Sequence, residues 1–198
     1  VFALKQKYAD KTYPEKTLRL IAQMHKAIAV IQFKIEGQLI EKHPEWKMDG
    51  RRLFEHINYE KGTVEIDGKE YEMSSCNFPT IDPKYPNRLS EEETILMQKL
   101  HHSFKVCEKL HKHIRVMLQH GCMYAIFNNN LLFHASCPLN ADGSLKEVEI
   151  YPGHKYSGRD LMHYTGMQIR TAFQQDSDPA EKEYAIDYFL YLWCGPDS

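Results

Sequence analysis

Apolar residues recur at alternating steps of three and four at Ile21, Met24, Ile28, Ile31 and Ile35. That is the period of one helix face turned toward a core. Thr12-Tyr13-Pro14-Glu15 just before it reads as a capping box with an early proline. The spacing predicts a helix that ends by Pro44, with Gly37 weakening its interior. A second stripe joins Leu96, Leu100, Phe104, Cys107, His111, Ile114 and Leu118. It follows Ser90-Glu91-Glu92-Glu93, another capping box, and predicts one helix to Gly121. At 1.5 Å per residue such a helix is roughly 45 Å long and needs packing along its length. The two helices, within 14–40 and 91–120, are expected to lie antiparallel as one helical layer.

Period-two segments separate these helices. Thr63-Val64-Glu65-Ile66, the turn Asp67-Gly68 and Glu70-Tyr71-Glu72-Met73 predict a hairpin within 59–73. Residues 74–89 hold three prolines and little periodicity, so they predict a long ordered loop or linker. Tyr124-Ala125-Ile126-Phe127, a turn through Asn128-Asn129-Asn130, and Leu131-Leu132-Phe133-His134 predict a second hairpin. Val148-Glu149-Ile150-Tyr151 is a further strand, and residues 159–173 read as a helix. Asp178-Pro179-Ala180-Glu181 starts a last helix, with Asp as cap and Pro at its first position, ending near Cys194-Gly195-Pro196. The pattern as a whole is α+β and predominantly helical.

Composition narrows the function classes. The apolar share of 42% and charged share of 26% are those of a globular domain. A net charge of −2 gives no basic field for nucleic acid or an acidic membrane. No apolar run approaches the ~20 residues that span a bilayer. The cysteines at 76, 107, 122, 137 and 194 form no Cys-x-x-Cys pair, which suits reduced thiols in a cytoplasm. Among the 11 histidines, Cys107 and His111 share a helix face, but no third or fourth ligand follows in register. A solvated or half-buried face is the better reading there.

His134 is the residue with the clearest chemical promise. It closes an apolar strand and faces Ala135-Ser136-Cys137-Pro138, then Leu139-Asn140-Ala141-Asp142-Gly143. Small residues, proline and Asp-Gly cannot continue a central strand. Such a histidine is fixed by the strand, and the loop leaves room for an ion and a phosphate. On pattern alone a lone histidine at a strand end is more often structural than a ligand, because a metal site needs several ligands.

Residues 130–143, with Leu132-Phe133-His134 at their centre, resemble the histidine motif of the class III fructose-1,6-bisphosphatases. These are the Firmicutes-type enzymes within the calcineurin-like metallophosphatases. Residues 24–34, 77–83 and 191–198 resemble the same family, most specifically through Trp193-Cys194-Gly195-Pro196. Ala135 departs from it, since the family usually has glycine there, and a methyl group would tighten the loop. Metallophosphatases assemble a two-metal site from Asp-x-His, Gly-Asp-x-x-Asp, Gly-Asn-His-Asp/Glu, a lone His and a Gly-His-x-His variant. Here only the lone His has a match, as His134; no Gly-Asp or Gly-Asn dipeptide occurs. Gly153-His154 is followed by Lys155-Tyr156 and reads as a loop with a solvated ring.

The resemblance implies a longer parent of which this chain is an interior piece. Residues 1–121 would form a mostly helical insertion or cap. Residues 122–198 would be part of the metallophosphatase core, their hairpin joining an αββα sandwich. The parent would hydrolyse fructose 1,6-bisphosphate in gluconeogenesis with divalent metal, manganese by resemblance. His134 would be a neutral imidazole ligand to metal. Asn140, Lys155 and Arg159 lie downstream and could reach a substrate phosphate, although solvated lysine and arginine are the default. The chain alone is expected to be inactive and to hold no metal pair. The other reading is a non-catalytic interaction or regulatory module, with the helical first 120 residues serving as a homo-oligomer interface, a substrate lid or an effector site.

Overall fold

The computed structural model describes residues 13–133, 136–151 and 153–198. Its architecture is α+β, with helices dominating and three small antiparallel sheets. In chain order the elements are α1 (Glu15–Lys42), β1 (Ile57–Asn58), β2 (Thr63–Ile66), β3 (Lys69–Glu72), α2 (Glu91–Lys105) and α3 (Glu108–His120). They continue with β4 (Tyr124–Phe127), β5 (Asn130–Phe133), β6 (Val148–Tyr151), β7 (His154–Tyr156), α4 (Gly158–Phe173) and α5 (Pro179–Cys194). Two compact units result, one of Gly50–Ile95 with the chain up to Gln38, the other of Leu39–Asp49 and Leu96–Ser198.

In the first unit, Phe54 takes edge contacts from Phe33 at 5.8 Å and Phe78 at 5.7 Å. Strands β1, β2 and β3 pair in sequence order, Val64 facing both Ile57 and Tyr71. Asp67 and Gly68 both have positive φ, the type I′ turn that Asp-Gly favours. The capping box forms as the sequence predicts: Glu93 N donates to Ser90 Oγ at 3.2 Å, and Ser90 N to Glu93 Oε2 at 2.8 Å. The capping box at Thr12 falls outside the described residues. The first stripe is core only in part. Ile31 is buried, whereas Met24 and Ile28 are exposed. Lys34, Glu36 and Gly37 occupy buried positions that the apolar pattern does not mark. Helix α1 runs through Gly37 unbroken, and the absence of a side chain there makes room for Asn87, which a Cβ would meet at 2.5 Å.

The predicted helix from 91 to 121 is two helices. Cys107 adopts extended backbone with φ −78 and ψ 93, ending α2 before α3 begins. His111 Nε2 donates to the Lys105 carbonyl at 2.8 Å, supplying a partner that the interrupted ladder no longer gives. Packing along this stripe is also less than expected. Helix α3 buries no residue, α2 buries only Glu93, and Leu96, Phe104, Val116 and Met117 are exposed.

The second unit is built on Ile40, Trp46, Ile150, Leu161, Tyr188 and Tyr191, with α4 packed on α5. Strand β6 buries Val148 and Ile150 and exposes Glu149 and Tyr151, the alternation of a half-buried strand. Burying Trp46 contributes on the order of 2–3 kcal/mol. Asp178 caps α5, its Oδ1 accepting from Ala180 N at 2.9 Å and Glu181 N at 3.1 Å. In the β4–β5 hairpin, Tyr124 faces Phe133 and Phe127 faces Asn130. Asn128 and Asn129 carry the positive φ of a type I′ turn, so Asn130 belongs to β5 rather than to the turn. Ile126, Phe127, Leu131, Leu132 and Phe133 are all exposed, leaving both faces of this hairpin apolar and open. Among the described residues no helix is long and apolar enough to cross a membrane.

Candidate functional site

The predicted metal ligand, His134, lies outside the described residues. The nearest described features are β5, which ends at Phe133, and the segment from Ser136. Ser136, Cys137 and Pro138 line a cavity of 280 Å³ together with Cys122, Met123 and Tyr188. Its polar groups are largely committed. Thr165 Oγ1 and Tyr188 Oη share a hydrogen bond at 3.3 Å. Asp197, also on this cavity, accepts from Lys146 Nζ at 2.5 Å. Burial, with the Asp197 charge adding to it, pushes the Tyr191 phenol up to about 12. All five cysteines are free.

A larger cleft of 860 Å³ opens elsewhere in the same unit, walled by Tyr151, Tyr156, Tyr164 and Tyr184. Tyr156 stacks on Tyr164 at 4.4 Å, and Tyr151 meets Tyr184 edge-on at 5.4 Å. Desolvation raises the Tyr164 and Tyr184 phenols above their ordinary value. Tyr184 donates to the Ile150 carbonyl at 3.0 Å, which fixes its ring. At one end of the cleft His43 stacks on Trp46 at 4.1 Å. Its Nδ1 lies 2.9 Å from Glu45 Oε1, and its Nε2 lies 3.0 Å from Asp187 Oδ2. Both ring nitrogens therefore face carboxylates, which hold the imidazole in place. Lys42 Nζ donates to Asp187 Oδ2 at 2.6 Å and also pairs with Glu183. Asp187 and Glu183 together hold the ammonium above the usual lysine value. Arg170 donates to the carbonyls of Gly166 and Gly121, both at 3.0 Å.

The three downstream polar residues do not converge on this cleft, and none lines either cavity. Asn140 shapes the turn after the loop: its Nδ2 donates to Ser144 Oγ at 2.9 Å and reaches the Leu145 carbonyl at 3.4 Å. Lys155 stands on β7, exposed, with Glu147 at 3.8 Å. Arg159 stands in the first turn of α4, exposed, with Asp160 at 3.9 Å. His154, expected in a loop, is on strand β7 and remains exposed; the bulge between Glu149 and Tyr151 lets β7 pair so soon after Gly153.

Among the described residues no group of three or more His, Cys, Asp or Glu is placed to hold a metal ion. They do not fit a complete two-metal centre, which needs ligands bridging both ions. His111, one of the Cys107–His111 pair, has its Nε2 on a backbone carbonyl. The aromatic cleft is what the sequence reading missed. Its signal was spread over Tyr151, Tyr156, Tyr164 and Tyr184, with His43 just after α1, residues too far apart in the chain to form one pattern.

Comparison with known proteins places the chain among related sequences. All of residues 1–198 match the model of the Firmicute fructose-1,6-bisphosphatase family. A Bacteroides fragilis protein named fructose-1,6-bisphosphatase class 3 is 52% identical over 198 residues, covering 100% of this chain and 30% of the relative. A Parabacteroides distasonis protein of the same name is 52% identical with the same coverage. One from Clostridium novyi is 47% identical over 192 residues, 97% of this chain and 29% of the relative. The chain thus spans about three-tenths of the length of the curated relatives it matches. No solved structure matches it.

Proposed function

The chain belongs to the Firmicute fructose-1,6-bisphosphatase family, and from that premise we propose that it is part of an enzyme hydrolysing fructose 1,6-bisphosphate to fructose 6-phosphate and phosphate, in the cytoplasm and in gluconeogenesis. The observation that carries this reading is a family match over the whole chain, with relatives near 50% identity that bear the bisphosphatase name. The cofactor is a divalent metal, manganese by resemblance, and its centre is completed by residues outside this chain.

His134 is this chain's contribution to that centre. The β4–β5 hairpin supports the assignment, because its fixed Tyr124–Phe133 pairing sets where the chain emerges just before the histidine. In this reading residues 1–121 form the insertion or cap, with Leu39–Asp49 packed inside the second unit, and residues 122–198 join the metallophosphatase sandwich through the open faces of the hairpin. Lys155 and Arg159 are the residues suited to a substrate phosphate. Both are exposed and held only by carboxylate oxygens more than 3.5 Å away, so their donors remain available. Asn140 suits the role less. Its amide hydrogens are directed at Ser144 and Leu145, and its carbonyl oxygen cannot pair with an anionic acceptor.

The test is to assay the full-length protein with manganese on fructose 1,6-bisphosphate and on a phosphoprotein. Turnover of the bisphosphate is expected. Activity confined to the phosphoprotein would overturn the sugar assignment while leaving a metallophosphatase.

A further inference from the structure

Helix α5 is apolar on two neighbouring sides. One side holds Ala185, Tyr188 and Tyr191 in the core. The other carries Ile186, Phe189 and Trp193 at steps of three and four, a single stripe along the helix. These are 53%, 40% and 77% exposed, and Phe173 of α4, 46% exposed, meets Phe189 edge-on at 6.1 Å. Residues 188–194, Tyr-Phe-Leu-Tyr-Leu-Trp-Cys, include no charged side chain. Over these last two turns the helix is apolar all round, the composition of a helix that lies inside a protein. Solvent-facing patches of clustered aromatics mark contact surfaces.

We infer that the Ile186–Phe189–Trp193 stripe, with Phe173 beside it, is a permanent docking face covered by another part of the same polypeptide. The length of the relatives selects this occupant, and the composition of the stripe excludes a transient partner. The chain spans 30% of the length of its relatives, so most of such a polypeptide lies outside these residues and is available to pack here. The stripe also lacks charge through its last two turns, which is the composition of a contact that never opens rather than of a transient partner surface. The inference needs the longer polypeptide but not its phosphatase activity.

Hydroxyl-radical footprinting of the wild-type full-length protein, read by peptide mass spectrometry, tests this without any substitution. The oxidation rates of Trp193 and Phe189 are compared with those of the same residues in the protein unfolded in urea. Rates slower by about tenfold or more in the folded protein, unchanged on dilution, are expected. Protection that fades on dilution, or cross-links that join the Trp193 peptides of isotopically light and heavy copies co-expressed in one preparation, would assign the face to a second copy and overturn the inference. Oxidation as fast as in urea would show the face open to solvent and overturn it too. Protected residues in a protein without bisphosphatase activity would remove the proposed function and leave this inference standing.

Discussion

Lys34, with 0% of its surface exposed, donates from Nζ to Glu93 Oε2 at 2.8 Å, and the same carboxylate closes the cap of α2 on Ser90. The Thr80 carbonyl takes a second ammonium hydrogen at 2.6 Å. One ion pair thereby ties α1, the loop of residues 74–89 and the start of α2 within the first unit. Removing one partner leaves a shielded charge alone, which costs about 3–5 kcal/mol. Lys34→Met is expected to lower stability by that amount in urea unfolding. The double change Lys34→Met with Glu93→Gln should recover part of it.

The same carboxylate makes a pH prediction. Burial alone would push Glu93 up, but the Lys34 ammonium, the Ser90 amide and Thr80 outweigh it and hold the group below its ordinary 4.5. A depressed carboxylate stabilises the fold fully above the unfolded value, and the contribution is lost as pH falls through the lower folded value. Unfolding followed from pH 7 downward should show a loss that begins near 4 to 5 and is absent in the Lys34→Met, Glu93→Gln double variant.

Tyrosines give the alkaline counterpart. Desolvation raises Tyr59 from 10.0 to about 12, and Tyr191 likewise to about 12. A phenol raised on folding stabilises the native state below the unfolded value and ceases to do so as pH rises through the folded one. Stability should fall between pH 10 and 12, with tyrosinate absorbance at the buried rings appearing together with the loss of near-UV circular dichroism.

Gly37→Ala reverses the usual helix rule. Alanine gains about 1 kcal/mol over glycine inside a helix. Here its methyl carbon would lie 2.5 Å from Asn87, whose side chain is bound to Glu55 and whose carbonyl accepts from Gln38. Displacing that buried amide costs more than the propensity gains, so a net loss of about 1–2 kcal/mol is expected. A stabilised variant in thermal melting would show that Asn87 moves freely.

Much of the local structure was legible because its causes are local. Ser90 with Glu93, Asp178 with Pro179, and Asp67-Gly68 each act within four residues, and each forms as read. The break at Val106 and Cys107 was not legible, since no glycine or proline marks it and His111 completes it from the next turn. Buried Lys34 escaped the apolar pattern because its burial depends on Glu93 and Thr80, 59 and 46 residues away. The tyrosine cleft depends on β6, β7, α4 and α5 meeting, which no single window of sequence displays. His134 was readable from its motif alone and rests on that motif still.

The most direct measurement is therefore phosphate release from fructose 1,6-bisphosphate by the full-length His134→Ala protein with manganese, beside the wild type. Loss of one inner-shell imidazole is expected to lower turnover by at least about a hundredfold, with weaker manganese binding and an unchanged thermal midpoint. Turnover and manganese affinity equal to those of the wild type would contradict the assignment of His134 as a metal ligand.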